Sequence, residues 1–251
     1  MKAHNRPICF SRVKSIFSPR FPIFLGIGAA ILLNGCEKPK APPMAGSVQA
    51  PGVEVTEVKI QTTEIPASEA AQLVEHLQKA YAREYGASVK YEKWGEKAEK
   101  EGWKRAAALF RAISHSEKVH ADNHAAALKV LGAAPIANIA VPEAGTLEEM
   151  FQNALENERE TVENFYPELI TGLKKLKNHE TLLKNFESAK INDGQHAKLY
   201  ESAVKDPKKW NDEGGDFTVC LICGEIMEGT PPANCPKCGS AKEKFKTFSG
   251  K

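Results

Sequence analysis

The chain has 251 residues, 42% hydrophobic and 26% charged, as in an ordinary globular protein with room for one or two domains. Its 34 Lys and Arg residues nearly balance 32 Asp and Glu residues, leaving a net charge of +2. This balance provides no strongly basic face, so nucleic acid is excluded as an expected partner. Six cysteines would suggest disulfides in a short secreted domain, but four of them form two C-x-x-C pairs, which favours metal binding.

Residues 1–35 are predicted to be a signal peptide. Basic residues precede an apolar run, Phe21 to Leu33, that is too short to span a bilayer comfortably. The following Leu-Asn-Gly-Cys36 resembles a bacterial lipobox, with Asn34 as an unusual occupant. We therefore expect lipidation of Cys36 and an exported, membrane-tethered protein facing the periplasm or the cell exterior. An uncleaved anchor or an ordinary secretory signal is the alternative.

Residues 36–65 contain many Pro and Gly residues without apolar periodicity, which predicts a flexible tether. Across residues 66–207, apolar positions recur every three or four residues in an Ala-, Leu-, Glu- and Lys-rich background, which predicts helices. Four helices are expected. The first begins near Pro66 with Ser68 as its N-cap, runs past Tyr91 and ends in a turn at Gly95 or Gly102, after which the second continues to Leu131. The third begins at its N-cap Thr146 and ends near Gly172, and the fourth covers about residues 180–204. The long middle connection suits a mainly α, ferritin-like four-helix bundle with one crossover.

Two of these helices carry a carboxylate and an imidazole three residues apart, so that both side chains share one face. The pairs are Glu117 with His120 and Asp193 with His196. The other two helices offer Glu84 and Glu158 where apolar neighbours would point inward. One carboxylate from each of two helices and a carboxylate-x-x-His from each of the others is the di-iron ligand set of ferritin-like bundles. The alternative is that these acids lie on solvated faces.

The four remaining histidines of the helical region lack such partners, and we expect them on the surface: His76, His115, His124 and His179.

Residues 214–251 are predicted to form a separate small β domain with two metal knuckles. The ligands would be four thiolates, from Cys220, Cys223, Cys235 and Cys238. Gly224 and Gly239 allow backbone N–H groups to turn toward the sulfurs. Four thiolates suit iron or zinc equally well by geometry, so a structural zinc ribbon and a pair of disulfides remain alternatives.

Residues 66–251 resemble the rubrerythrin family, a ferritin-like di-iron bundle followed by a rubredoxin-like domain. The motifs that carry the resemblance are Ala80-Tyr-Ala-Arg-Glu84, Tyr91, Glu117-x-x-His120-Ala121, Tyr166-Pro167, His196 and the C-terminal cysteines. The resemblance implies the following roles: terminal carboxylates for Glu84 and Glu158, bridging carboxylates for Glu117 and Asp193, a constant imidazole for His196, a redox-dependent one for His120, and hydrogen bonds near the carboxylates from Tyr91 and Tyr166. It also favours iron in the four-cysteine site.

The chain departs from the family pattern at two positions. Asp193 stands where the family has glutamate, and its side chain is one methylene shorter. Thr161 stands where the family generally has another carboxylate that exchanges with the histidine, and threonine cannot replace that ligand. Glu160 and Glu163 are offset by one and two residues, which rotates them about 100 to 200° around a helix. We expect a di-iron site whose cycling is altered or slow.

The resemblance implies a non-haem iron peroxidase. The four-cysteine iron would pass single electrons to the di-iron site, where hydrogen peroxide is reduced to water. It also implies a homodimer in which one subunit's rubredoxin-like domain lies near the other's di-iron site. The electron donor is not identified by the sequence. The alternatives are a ferroxidase or iron-handling protein and a non-catalytic metal-bound scaffold or sensor.

Overall fold

The structure is a computed structural model that describes residues 65–176, 179–211 and 214–251. The predicted signal peptide, Cys36 and nearly all of the predicted tether lie outside the described residues. The helices are α1 (Ala67–Lys100), α2 (Lys104–Val130), α3 (Leu147–Glu160), α4 (Tyr166–Lys174) and α5 (Glu180–Lys205). The strands are β1 (Asp216–Cys220), β2 (Ile226–Glu228) and β3 (Phe245–Ser249). None of the helices in these ranges is both long enough and apolar enough to cross a membrane.

The observed helix ends can be compared with the caps and turns that the sequence predicts. Thr146 caps α3 in a reciprocal capping box with Glu149, as the pattern predicts. The prediction for Ser68 is wrong, because the residue that precedes α1 is Pro66, and no side chain within residues 65–176, 179–211 and 214–251 caps this end. The turn between α1 and α2 occurs at Gly102, where φ is 81°, while Gly95 remains inside α1.

The expected third helix is interrupted. A five-residue π-helical turn, Thr161–Phe165, separates α3 from α4, and the backbone N–H of Tyr166 donates to the carbonyl of Thr161. Single π turns within helices are frequent at functional sites.

The helices form two packed pairs, α1 with α2 and α3 with α5, and residues 131–146 make the long connection between the pairs. The mainly α four-helix architecture is therefore confirmed. Its core has two hydrophobic clusters, one around Tyr91, Phe110 and Tyr200 and the other around Leu77 and Phe186. Along the helices, the candidate ligands fall between the stretches that supply these two clusters.

The three strands form an antiparallel sheet in the order β2-β1-β3. This sheet shares a hydrophobic core with the bundle, since Phe217, Val219 and Ile226 belong to the Tyr91 cluster. Trp210, in the connection after α5, stacks on Phe217 with ring centroids 6.0 Å apart and meets Phe151 edge-on at 5.8 Å. The C-terminal module is thus anchored to the bundle of its own chain.

Candidate metal centres

Six predicted ligands from the four long helical segments meet in the middle of the bundle, and each is at most 3% exposed. They form two overlapping groups in which one donor atom from each residue lies within 4.8 Å of the others. These groups are Glu84, Glu117, His120 and Asp193, and Glu117, Glu158, Asp193 and His196. Glu117 and Asp193 belong to both groups. This geometry suits two metal ions with those two carboxylates between them.

The charges of this carboxylate cluster fit bound cations. Burial, together with the neighbouring carboxylates, raises the pKa of Glu84 and of Asp193 well above the ordinary values, and burial and Glu158 raise the pKa of Glu117. Both carboxylate oxygens of Asp193 are buried and have no hydrogen-bond partner in the described part of the chain. Such acids are costly to bury alone and become favourable as ligands of a metal ion. Carboxylate and imidazole donors suit iron.

Both predicted tyrosines reach the cluster. The hydroxyl of Tyr91 donates to Glu158 Oε1 at 2.5 Å, and that of Tyr166 donates to Glu84. Both side chains are fully buried. Burial, followed by the adjacent carboxylates, raises the pKa of each tyrosine well above its usual value. The two phenols therefore remain protonated and act as fixed hydrogen-bond donors to the carboxylates.

Two of the histidines predicted at the surface are buried, so that prediction is wrong for them. His124 is 1% exposed, and its Nε2 lies 3.1 Å from the Tyr166 hydroxyl. His179 is 8% exposed and its Nε2 lies 2.7 Å from Glu69 Oε1. The spacing contained a signal for His124, because it follows His120 by four residues and so shares its helix face.

His196 presents Nδ1 to the carboxylates, 3.2 Å from Glu117 Oε1. Its Nε2 lies 3.0 Å from Oγ of Ser116, and that hydroxyl donates to the carbonyl of Gly224 at 2.5 Å. Because the Ser116 hydroxyl donates its proton to the Gly224 carbonyl, its oxygen accepts a hydrogen bond from Nε2–H of His196. Nδ1 of His196 can then offer its lone pair to a metal. The sequence did not predict this role of Ser116.

Among the residues that the structure describes, no carboxylate replaces the ligand missing at Thr161. The hydroxyl of Thr161 donates to the carbonyl of Asn157 and accepts from Nε of Arg83, both at 2.8 Å. Glu160 pairs with the same guanidinium, and Glu163 is exposed. A positive charge therefore lies beside the position where the family pattern has a carboxylate.

The four C-terminal cysteines are free thiols that converge on one point. Sγ of Cys220 lies 3.6 Å from that of Cys238, and Sγ of Cys223 lies 3.7 Å from that of Cys235. Sulfurs about 2.3 Å from a central ion lie roughly 3.8 Å apart in a tetrahedron, so the spacing fits one metal ion. A hydrogen bond from the Cys223 thiol lowers the pKa of Cys220 to about 5, which favours a thiolate.

This four-cysteine site touches the carboxylate cluster of the same chain. Gly224, at φ 77°, passes so close to the imidazole of His120 that a Cβ on it would lie 2.5 Å from Nε2. A cavity of about 370 Å³, lined in part by His120, Cys223 and Lys237, lies beside the contact. The resemblance implies a contact between subunits, whereas here the two sites meet within one chain. Trp210, in the short connection after α5, is buried in the hydrophobic cluster that the bundle and the sheet share.

Comparisons with known proteins agree with a helical bundle followed by a small four-cysteine module. Residues 74–182 match the model of the ferritin-like domain, and residues 219–246 match that of the rubrerythrin rubredoxin-like domain. The ferritin-like fold is thereby confirmed. The fully reduced, all-ferrous nigerythrin structure is 25% identical, with a TM-score of 0.64 over 82% of this chain and 100% of that one. Desulfovibrio desulfuricans bacterioferritin shares the fold, at 24% identity and a TM-score of 0.53 over 57% of this chain and 84% of that one.

The two ligand sets fit a non-haem di-iron site and one mononuclear iron held by four cysteines. Nigerythrin of Nitratidesulfovibrio vulgaris is 27% identical over 176 residues, 70% of this chain and 86% of that protein. Rubrerythrin-2 of Clostridium acetobutylicum is 31% identical over 180 residues, which cover 71% of this chain and 97% of that protein. This chain belongs to the rubrerythrin family.

Proposed function

We propose that the protein is a peroxidase that reduces hydrogen peroxide at the carboxylate cluster with electrons from the four-cysteine site. The observation that carries the proposal is the hydrogen-bonded contact between two sites suited to redox metals. The Cys223 carbonyl, the Asn192 amide and the His120 imidazole form a continuous chain of contacts at 2.6 and 2.8 Å. Reduction of one peroxide to two waters consumes two electrons and two protons. A second redox site in contact with the first can replace the electrons.

Iron in the carboxylate cluster would supply the two electrons when bound. The protein's own groups hold its ligands in place, since Tyr91 and Tyr166 donate hydrogen bonds to Glu158 and Glu84. The buried surroundings exclude bulk water and limit access to small oxidants. The cavity beside His120 offers space next to the cluster for a molecule of that size.

A ferroxidase or iron-handling function is the second candidate. It is favoured by Thr161, because the remaining set of four carboxylates and two histidines is that of ferritin-like di-iron carboxylate proteins in general. A metal-bound scaffold or sensor would require a bundle that does not take up iron.

The deciding experiment is rapid mixing of the fully reduced protein with hydrogen peroxide or with dioxygen. Reoxidation is followed through the visible absorption of the ferric four-cysteine site. We expect faster reoxidation by peroxide. Faster reoxidation by dioxygen would instead support the ferroxidase.

Two variants connect this rate to the cluster. Glu84→Ala combined with His196→Ala should abolish peroxide-driven oxidation of the four-cysteine iron. Glu156→Ala, which removes an exposed glutamate of α3, is the matched control and should react like the parent protein. Unchanged oxidation in the double variant would refute the proposed mechanism.

The location and assembly of the protein are proposed from the sequence and from the resemblance. Cys36 would carry a lipid that tethers an exported protein to a membrane, and the bundle would form a homodimer. In cells labelled with radioactive palmitate, the parent protein should incorporate label and sediment with membranes, and Cys36→Ser should do neither. Light scattering of the soluble form that begins after Cys36 tests the dimer.

A further inference from the structure

Asn192 is a fully buried amide on α5 that contacts three groups from two parts of the molecule. Its Nδ2 lies 2.6 Å from the Cys223 carbonyl and 2.8 Å from Nε2 of His120. Its Oδ1 accepts a hydrogen bond from the ammonium of Lys237, which lies between Cys235 and Cys238 in the four-cysteine site.

These neighbours determine which way the amide points. The ammonium of Lys237 can only donate, so it requires the amide oxygen of Asn192. The carbonyl of Cys223 can only accept, so it requires the amide NH₂ group. Both requirements give the same orientation, and turning the amide by 180° would violate both.

The orientation of Asn192 in turn determines the tautomer of His120. The second N–H of the amide points at Nε2, which must therefore be an acceptor without a proton. The single proton of the neutral ring then lies on Nδ1, which is 3.1 Å from Glu117 Oε2 and donates to it. His196 has the opposite arrangement, because Ser116 requires a proton on its Nε2.

We propose that Asn192 is a positioning residue that holds His120 in the tautomer unable to bind a metal through Nδ1, and that Lys237 of the four-cysteine site fixes Asn192 in this role. For His120 to become a ligand, its proton must move from Nδ1 to Nε2 and the amide must turn. Turning the amide breaks the contact with Lys237. Binding of iron by His120 is therefore coupled to the seating of the four-cysteine module on the bundle.

This inference rests on the proposed function for its use in catalysis, but its test does not require catalysis. The probe is full-length chain stripped of iron and given one equivalent of zinc, which four thiolates bind in preference to carboxylates. Nitrogen-15 NMR of the imidazole rings then identifies the protonated nitrogen of His120. In the parent protein we expect a pyridine-type shift at Nε2 and a pyrrole-type shift at Nδ1.

Asn192→Asp is the informative variant, because it keeps the shape and replaces the NH₂ group by an acceptor. It should reverse the assignment, with the proton of His120 moving to Nε2. Lys237→Met removes one of the two constraints on the amide and leaves the Cys223 carbonyl, so it should add a minor population with the proton on Nε2. Lys184→Met is the matched control, since Lys184 is an exposed lysine that lines the same cavity, and it should leave the spectrum unchanged.

A proton on Nε2 of His120 in the parent protein would overturn the inference, as would an unchanged His120 spectrum in folded Asn192→Asp protein. If Asn192→Asp does not fold, Lys237→Met decides by the same spectrum. Neither outcome depends on peroxide kinetics, so failure of this inference is distinguishable from failure of the proposed function.

Discussion

The two candidate metal sites of this chain are built in opposite ways. The four-cysteine site takes its ligands from two turns that lie close together in the sequence, and its side chains range from buried to exposed. The carboxylate cluster draws ligands from Glu84 through His196, and all of them are at most 3% exposed. Thiols are neutral when protonated and are cheap to hold together without a metal. Four buried carboxyls are expensive, so the bundle depends on metal or protons in a way that the small module does not.

Removing one ligand from each site in turn should distinguish the two sites most clearly, through the number of irons that each variant retains. The parent protein should contain about three irons per chain. Glu117→Ala removes a carboxylate shared by both ligand groups and should leave about one iron, whereas Cys235→Ser should leave about two. Metal analysis of anaerobically purified protein measures this, with circular dichroism to confirm that each variant is helical. Loss of all iron in either variant would mean that the sites are not independent.

The pH dependence of the metal-free protein should reflect the cluster. The pKa values of three of its carboxyls are raised on folding, so they bind more protons in the folded state, and stability falls as pH rises through those pKa values. His196, with a pKa raised to about 10, acts in the same direction. Burial lowers the pKa of His120 to about 4 and of His124 to about 3, which destabilises the fold only below about pH 6.5. Urea unfolding should therefore give decreasing stability from pH 6.5 to about pH 8, above which burial of Lys90, whose pKa it lowers to about 8, acts in the opposite direction.

Asp193→Asn should have opposite effects without and with metal, because it should stabilise the metal-free protein and weaken iron binding. The substitution removes a buried ionisable group that Glu84 and Glu117 repel when it is charged, so the metal-free protein should gain about 1–3 kcal/mol at pH 8. The same change removes a ligand shared by both groups and should weaken iron binding at least about tenfold. Urea unfolding and competition with a chelator measure the two effects. A metal-free variant that is less stable than the parent at pH 8 would contradict the view that Asp193 is unfavourable without metal.

Thr161→Val should have a smaller effect. It removes the acceptor of the Arg83 hydrogen bond while keeping the shape, and should cost about 1 kcal/mol of folding stability. Iron content should stay the same, because the hydroxyl is not among the clustered donor atoms. A loss of bundle iron in Thr161→Val would show that Thr161 contributes to metal binding.

Lys205→Ala should have the smallest effect. Its partner Glu201 is 3.0 Å away on the surface of α5, and water screens the attraction in an exposed pair of this kind. Urea unfolding should give the same free energy of unfolding as for the parent within experimental error, with iron content unchanged. This variant sets the baseline for surface substitutions far from both sites.

The sequence was informative where short-range rules apply. The Thr146 capping box, the two C-x-x-C pairs and the carboxylate-x-x-His spacings depend on residues that are neighbours along the chain, so they could be predicted. The four-residue spacing places His124 on the same face of α2 as His120, but its partners, Phe186 of α5 and the Tyr166 hydroxyl, could not be predicted because they lie far away in the sequence. Asn192 was missed for the same reason, since its three partners lie far from it in sequence.

The placement of the C-terminal module was also beyond local patterns. The position of a small domain on a bundle depends on contacts between residues far apart in the sequence, and Trp210 gives no periodic signal. Its role is visible only once its ring is found between Phe151 and Phe217.

The π-helical turn after α3 has a consequence for insertions and deletions. Glu158 and Tyr166 are eight residues apart, which in a regular α-helix would separate them by about 80° around the axis. The turn absorbs one residue, so the two behave as if seven apart, within about 20° of each other, and both side chains point into the bundle. In genetic terms the turn is equivalent to a one-codon insertion that the helix has accommodated. Loss of the codon for the exposed Asn164 would restore a continuous helix without moving either side chain to another face.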